Sequence, residues 1–372
     1  MKRALVADLH IHEWREFATL DGADKVNSRL YDCYTVLQDM RLYCGSHDIG
    51  VVVIAGDLFH KRGVLYTEAY NRVVYQLAQM QADGLHVLCV DGNHDHANRA
   101  GTVHNIDALW TAGLVEGIPK HEGYCNWTVS AEGAGKVIVS GYSYCENPAV
   151  FEQRLVASTS EIATVEHEDT ARIAVCHHGF RGARVGSALE YQVKEEIDPA
   201  VFAAHGFDFI FSGHYHTRQK IGGLPNALYL GSPLEHTRGI GGKKGFTVYD
   251  TDTKTTKLVR TRRPRFITLD SDDTADWCAE VINGNFVDVL YSPAEDPATL
   301  VKQIEAFGAR GVKPVRVVTH KVATKRLDID AALDTKSVLT RYVDYRKEEI
   351  KKAGLIPADV LKLGLDIISR AE

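Results

Sequence analysis

Five short apolar runs stand out along the chain, at ALVAD (4 to 8), GVVVIAGD (50 to 57), HVLCVDG (86 to 92), ARIAVCHH (171 to 178) and FDFIFSGHYH (207 to 216). None alternates with polar residues, which is the pattern of strands covered on both faces. Between the first three lie stretches with helical spacing, VNSRLYDCYTVLQDMRLY (26 to 43) and TEAYNRVVYQLAQM (67 to 80). The alternation predicts an α/β fold in which helices cover a layered sheet. Beyond Pro264, FITLD, FVDVLYSP and VKPVRVVTH read as strands around a helical segment at 297 to 311, and everything from Asp334 reads as helix. In the last segment Val360, Leu361, Leu363, Leu365, Ile367 and Ile368 leave little polar face, more apolar than a free amphipathic helix needs.

At 372 residues, 45% hydrophobic and 25% charged, the chain is expected to be soluble and globular, with two or three units. A net charge of -6 argues against a uniformly basic coat for nucleic acid and leaves room for a local patch. The seven cysteines form no CxxC pair, and Cys89 and Cys176 lie within apolar runs, so a reducing, cytoplasmic setting is expected. The apolar part of the N-terminus is too short for a secretion signal, and no stretch is long enough for a membrane span.

The ends of the five runs change the picture. They carry Asp8 with His10, Asp57 with His60, Asn93 with His94, His177 with His178, and His214 with His216. In α/β sheets, ligands gather beyond the carboxyl ends of the strands, so these side chains are expected to share one site. Taken singly, an Asp or Asn after a strand is a cap or turn residue. Taken together they are imidazoles, carboxylates and an amide without thiolate, a set suited to Mn, Fe or Zn. They are too many for one tetrahedral ion, which points to two cations sharing a carboxylate, a device for in-line attack at phosphorus. His12, His96 and His178 are expected to be bystanders, and Asp95 to brace the turn or orient a ligand. The choice between His177 and His178 stays open, with His177 favoured by its spacing to Gly182.

The ordered set D-x-H (8 to 10), GDLFH (56 to 60), GNHD (92 to 95), His177 and GHYH (213 to 216) resembles the calcineurin-like metallophosphoesterase superfamily. Within it, His60, the HHGFRGA segment, and LGSPLEH followed by KKGFTVYD resemble the SbcD-type nucleases, the catalytic subunits of double-strand-break repair and meiotic recombination. The resemblance covers roughly residues 1 to 265. It implies a β-sandwich flanked by helices over residues 1–262, a small α/β capping domain that guides DNA over 263–333, and a helical partner-binding tail over 334–372. It further implies that Asp8, His10, Asp57 and His216 hold one divalent ion, and that Asp57, Asn93, His177 and His214 hold a second. The ions would be Mn2+, with Mg2+ the alternative. His94 would be the general acid, with His60 positioning it or the phosphate. The implied activity is exo- and endonucleolytic hydrolysis at DNA double-strand ends, by a homodimer within a heterotetramer with an SbcC-type coiled-coil ATPase, in a bacterial or phage-infected cytoplasm.

The segment KTTKLVRTRRPR (254 to 265) holds six basic residues and no acid. Arg260, Arg262, Arg263 and Arg265, with Lys243 and Lys244, are candidate phosphate contacts; the plainer alternative is a solvated strand and linker. The rival functions are a phosphatase or phosphodiesterase of proteins or nucleotides on the same metals, and a scaffold with a relic site.

Overall fold

A computed structural model describes residues 1–22, 25–98, 100–130, 136–165, 170–184, 197–317, 335–352 and 354–371. It forms two compact units, Met1–Val315 and Arg316–Glu372. In the first, a five-stranded sheet runs in the order Thr255–Arg260, Gly245–Asp250, Lys2–Val6, Val51–Ala55, His86–Val90, with the last three parallel. A six-stranded sheet runs Gln219–Lys220, Ala227–Tyr229, Phe209–Ser212, Ala171–Cys176, Lys136–Tyr142, Tyr124–Ser130, parallel except at its two edges. The five apolar runs thus divide three to two between sheets, where the run pattern alone suggested one.

The pleat assigns each side chain a layer, because successive residues of a strand face opposite ways. Ala4, Val6, Val52 and Ile54 pack against Leu30, Leu37 and Met40 of helix Ser28–Ser46 and Val73, Leu77 and Met80 of helix Thr67–Ala82. Leu5, Val53 and Ala55 face Val139, Ile173, Val175 and Phe211 of the other sheet. Ala174, Cys176 and Ile210 face Phe151 and Leu155 of helix Pro148–Val165. The outcome is a helix-flanked β-sandwich, as expected. Helix Ser28–Ser46 begins where Asn27 accepts bonds from the amides of Arg29 (3.0 Å) and Leu30 (2.9 Å), satisfying two donors that a helix start leaves unpaired.

A three-stranded sheet, Phe266–Asp270, Phe286–Tyr291 and Gly311–Arg316, carries helix Pro297–Ala306 and its own small core of Leu269, Ile282, Val287, Val289 and Ile304. It is joined to the sandwich within the same unit. Arg310 pairs with Asp32 (2.8 Å), Lys313 with Glu16 (2.9 Å), and Arg238 pairs with both Glu16 (2.6 Å) and Asp288. Phe17 stacks on Phe286 at 5.1 Å. The boundary expected at residue 262 falls inside this unit, and residues 318–333 of the expected capping region lie outside the described residues. The second unit contains helices Thr335–Tyr345, Lys347–Lys352 and Pro357–Ala371. Val343 is buried in it, while Tyr342, Tyr345, Leu355, Ile356 and Leu363 are exposed; the side chains of Ile367 and Ile368 lie outside the description. Among the described residues no helix is long and apolar enough to cross a membrane.

Candidate metal centre

The parallel ladders continue past their last strand residues, through Asp8 N to Gly56 O (3.1 Å), His10 N to Asp57 O (2.9 Å) and Gly213 N to Cys176 O (3.1 Å). These bonds carry the strand ends of both sheets to a common edge. There Asp8, His10, Asp57 and His214 all take positive φ, at 54°, 43°, 54° and 86°. Such backbones are uncommon for residues with a Cβ and cluster at functional sites. Gly92 is required by crowding: a Cβ there would sit 2.2 Å from Asp57 Oδ1 and 2.5 Å from its amide nitrogen.

Asp57 is the centre. Its Oδ2 lies 3.2 Å from His177 Nε2 and 3.5 Å from His10 Nε2, and its Oδ1 accepts from the His94 amide at 2.8 Å. Asp8 Oδ1 lies 3.8 Å from both His177 Nε2 and His216 Nε2 and accepts from the His214 amide at 3.0 Å. His10 and His216 approach Nε2 to Nε2 at 3.0 Å, and His214 Nδ1 meets Asn93 Oδ1 at 3.1 Å. All seven expected ligands are therefore brought together, with Asp57 between the two sets. His177 donates Nδ1–H to Ala55 O at 2.8 Å, which leaves Nε2 aimed at the carboxylates. His178 points the other way, its Nε2 accepting from the Cys145 amide and its ring against Phe151. Asp95 is a brace, accepting from the amides of Phe59 (3.2 Å), Gly92 (2.9 Å) and Leu58 (3.4 Å).

His94 is tied by Nδ1 to His60 O at 2.5 Å, and the two rings stack at 5.4 Å. His60 Nδ1 also lies 3.4 Å from His10 Nδ1. Neither His94 nor His60 closes on the carboxylates. Two neighbours escaped the sequence reading. His236 is buried and donates Nε2–H to Asp8 O at 2.9 Å, with its ring 5.2 Å from that of His10; Trp14 Nε1 donates to His10 O at 3.3 Å. The LGSPLEH segment was legible as a motif, but nothing in it marked His236 as a support.

Electrostatics fit a cation site. Burial lowers His214 to about 3 and His216 to about 4, keeping both imidazoles neutral and able to donate lone pairs near pH 7. Burial raises Asp8 to about 7 against the pull of His177, and the charge on Asp57 adds to the rise. His177 is the exception: burial disfavours its charge, yet Asp57 and Asp8 outweigh that and raise it to about 10. A proton and a cation compete for the same Nε2. Asp8 Oδ2 and His177 Nε2 are buried without a hydrogen-bond partner, a costly arrangement for polar atoms that divalent cations would relieve. The donors present fit such ions.

The basic residues divide. Arg260, Arg262 and Lys243 are exposed and pair with no described residue. Arg263 is bound to Asp39 (2.7 Å) and Asp32 O (3.0 Å), and Arg265 to Glu235 (3.3 Å). Lys244 corrects the expectation of a surface contact: it is buried, donating to His216 O (2.8 Å) and Ser232 Oγ (3.1 Å). Its charge supports the ligand loop from beneath and is closed to a phosphate outside.

A β-sandwich with imidazoles and carboxylates gathered at one edge is the architecture of a metallophosphoesterase. The profile of the calcineurin-like phosphoesterases matches residues 1–218, and the chain belongs to that family. It is 27% identical over 275 residues to the DNA double-strand break repair protein Mre11 of Methanopyrus kandleri, covering 68% of this chain and 54% of that one. It is 24% identical over 213 residues to the SbcD subunit of the SbcCD nuclease of Escherichia coli K12, covering 51% and 52%. The chain thus spans about half the length of these curated relatives. A dimetal phosphatase from Danio rerio superposes with a TM-score of 0.42 at 11% identity, over 67% of this chain and 91% of that one.

Proposed function

We propose that the chain is a metal-dependent DNA nuclease, hydrolysing phosphodiester bonds at double-strand ends in exo- and endonucleolytic modes. The observation that carries the reading is Asp57 set between two donor groups, with the orphaned Asp8 Oδ2 and His177 Nε2 beside it. Asp8, His10, Asp57 and His216 would hold one ion, and Asp57, Asn93, His177 and His214 the other. Mn2+, with Mg2+ as the alternative, would supply Lewis acidity at the phosphate and lower the pKa of a bound water. The names of the two curated relatives support a nuclease over a phosphatase.

The chain's own residues supply the proton. With Nδ1–H held by the His60 carbonyl, His94 carries its transferable proton on Nε2, and it protonates the leaving oxygen as general acid. His60 positions it by the carbonyl contact and the ring stack. Asp95 fixes the turn that carries Asn93 and His94 through its three amide bonds.

Linear duplex DNA, a chromogenic phosphodiester and a phosphomonoester should be compared in Mn2+ and in chelator. Cleavage of DNA that chelator abolishes and Mn2+ restores is expected; turnover of the monoester alone would replace the nuclease with a phosphatase. The tail is assigned to an SbcC-type ATPase, supported by the exposed Tyr342, Tyr345, Leu355, Ile356 and Leu363. Deleting residues 334–372 should abolish that binding and leave nuclease activity.

A further inference from the structure

His94 is held by hydrogen bonding at one point of its ring. Nδ1 lies 2.5 Å from His60 O, and a single bond of this kind leaves the imidazole able to turn about it. Where Nε2 is aimed therefore depends on what lies against the ring. The His60 imidazole does, with its plane 16° from that of His94. His60 has little polar restraint of its own. Among the described residues the polar contact of its ring is His10 Nδ1 at 3.4 Å, longer than a good hydrogen bond. Its plane is set by the rings around it.

Of those rings Trp14 is the nearest. The indole and His60 centroids are 4.3 Å apart, against 5.2 Å for His12, 5.3 Å for His10 and 5.4 Å for His94. The half-buried indole is itself tied down on several sides. Its Nε1 donates to His10 O at 3.3 Å, the Trp14 carbonyl accepts from Asn27 Nδ2 at 3.0 Å, and the His236 ring lies 5.5 Å away with planes 23° apart. The buried Arg29 brings its guanidinium carbon to 5.3 Å from the indole centroid while donating to His236 O at 2.7 Å and Glu16 O at 3.2 Å. A guanidinium is drawn to the negative face of an indole, so Arg29 holds the ring and the His236 loop together.

We propose that Trp14 is a positioning residue for the general acid: the indole sets the plane of His60, and His60 sets the plane of His94, so that Nε2 faces the leaving oxygen. The inference rests on the reading of His94 as the acid and adds to it the side chain that aims it. The hydrogen bond from Trp14 to a ligand residue ends on the backbone of His10, so loss of the ring leaves every expected donor in place.

The test is turnover, in Mn2+, of aryl phosphodiesters graded by the basicity of the phenolate they release. A general acid matters more as the leaving oxygen becomes more basic, so a misaimed acid shows as a steeper fall in rate along the series. Trp14→Ala should lower kcat for the phenyl ester by roughly tenfold to a hundredfold, the scale set by a misplacement near 1 Å. The para-nitrophenyl ester, KM and the metal content by elemental analysis should hardly change. Trp14→Phe, which keeps a ring and loses Nε1–H, should recover most of the rate. In a His94→Ala background Trp14→Ala should cost nothing further, because the group it aims is gone. Equal losses on both esters, metal lost in step with activity, or full additivity with His94→Ala would overturn the proposal. If thermal melting shows that Trp14→Ala does not fold, Trp14→Leu, with apolar bulk and no planar ring, decides on the same series. A series that His94→Ala steepens and Trp14→Ala leaves alone would sink the positioning role only; one that His94→Ala leaves alone would sink the acid reading and the positioning role with it.

Discussion

Replacing Arg260, Arg262 and Lys243 together with Gln should weaken binding to long duplex DNA and flatten its dependence on salt. Arg260 and Arg262 of the basic segment, and Lys243 upstream of it, are exposed without a described partner. Each lost phosphate contact removes roughly 0.9 from the slope of log affinity against log salt, so three lost contacts change it by about 2.7. Over a fourfold rise in salt that difference amounts to about fortyfold in affinity. Arg263 and Arg265 make the internal control. Their guanidiniums are engaged by Asp39 and Glu235, so Arg263→Gln should cost stability and hardly alter the slope. Fluorescence anisotropy on a labelled duplex across the salt series measures the slope, and thermal melting separates the two groups. Turnover of a small phosphodiester should be unchanged by the triple replacement, because such a substrate needs only the cluster around Asp57. An unchanged slope would refute the reasoning and make the segment a solvated linker; a slope change from Arg263→Gln alone would mean the ion pair with Asp39 opens on DNA.

His94→Ala should keep its metal content by elemental analysis while phosphodiester turnover drops by about a hundredfold to ten-thousandfold, the usual contribution of a general acid; metal loss in step with activity would make His94 a ligand instead. Gly92→Ala should lose metal and activity together, since its Cβ would sit 2.2 Å from Asp57 Oδ1; a fully loaded, active variant would show that the turn can yield. Glu16 is lowered to about 2, first by its hydrogen bond to Arg238 and then by Lys313, from an ordinary value of 4.5. A depressed carboxylate stabilises the fold above its ordinary value, and that stability is lost as pH falls toward the folded value. At 41% exposed the gain is screened to no more than about 1 kcal/mol. Thermal melts of Glu16→Gln and wild type should therefore differ near neutral pH, with the gap closing as pH falls from about 4.5 to about 2; a gap that stays constant with pH would count against the ion pair.

The cluster of candidate ligands was legible because its residues follow runs buried on both faces, and such runs announce themselves as uninterrupted apolar stretches. The edge hairpin of Tyr124–Ser130 and Lys136–Tyr142 was not. Tyr124–Ser130 is half-exposed, with only Trp127 buried, so it lacks the continuous apolar signal. The split of the five runs between two sheets was equally hidden, since a strand covered by helices and a strand covered by another sheet read alike.

Parity along the strands explains what spacing could not decide. Leu5 and Ala7, Val53 and Ala55, and Ile173 and Val175 all face the space between the sheets, and in a pleated strand every second residue keeps the same side. Continuing the last series by two brings His177 to the inter-sheet side, where it meets Asp57 at 3.2 Å; the first two series are broken by positive φ at Asp8 and at Gly56 and Asp57, and Leu9 turns to the helix side. Ala174 and Cys176 face the outer helix, and the same continuation sends His178 to Phe151. The rule also reaches Lys244, in step with Phe246 and Val248, which turn to the helix-side core of the first sheet, while Lys243 is exposed. A sequence in which two histidines or two lysines stand side by side therefore offers one inward and one outward group. Which of them does chemistry is fixed by the phase of the strand they adjoin, a property that follows from where the apolar contacts lie and not from the identity of the pair.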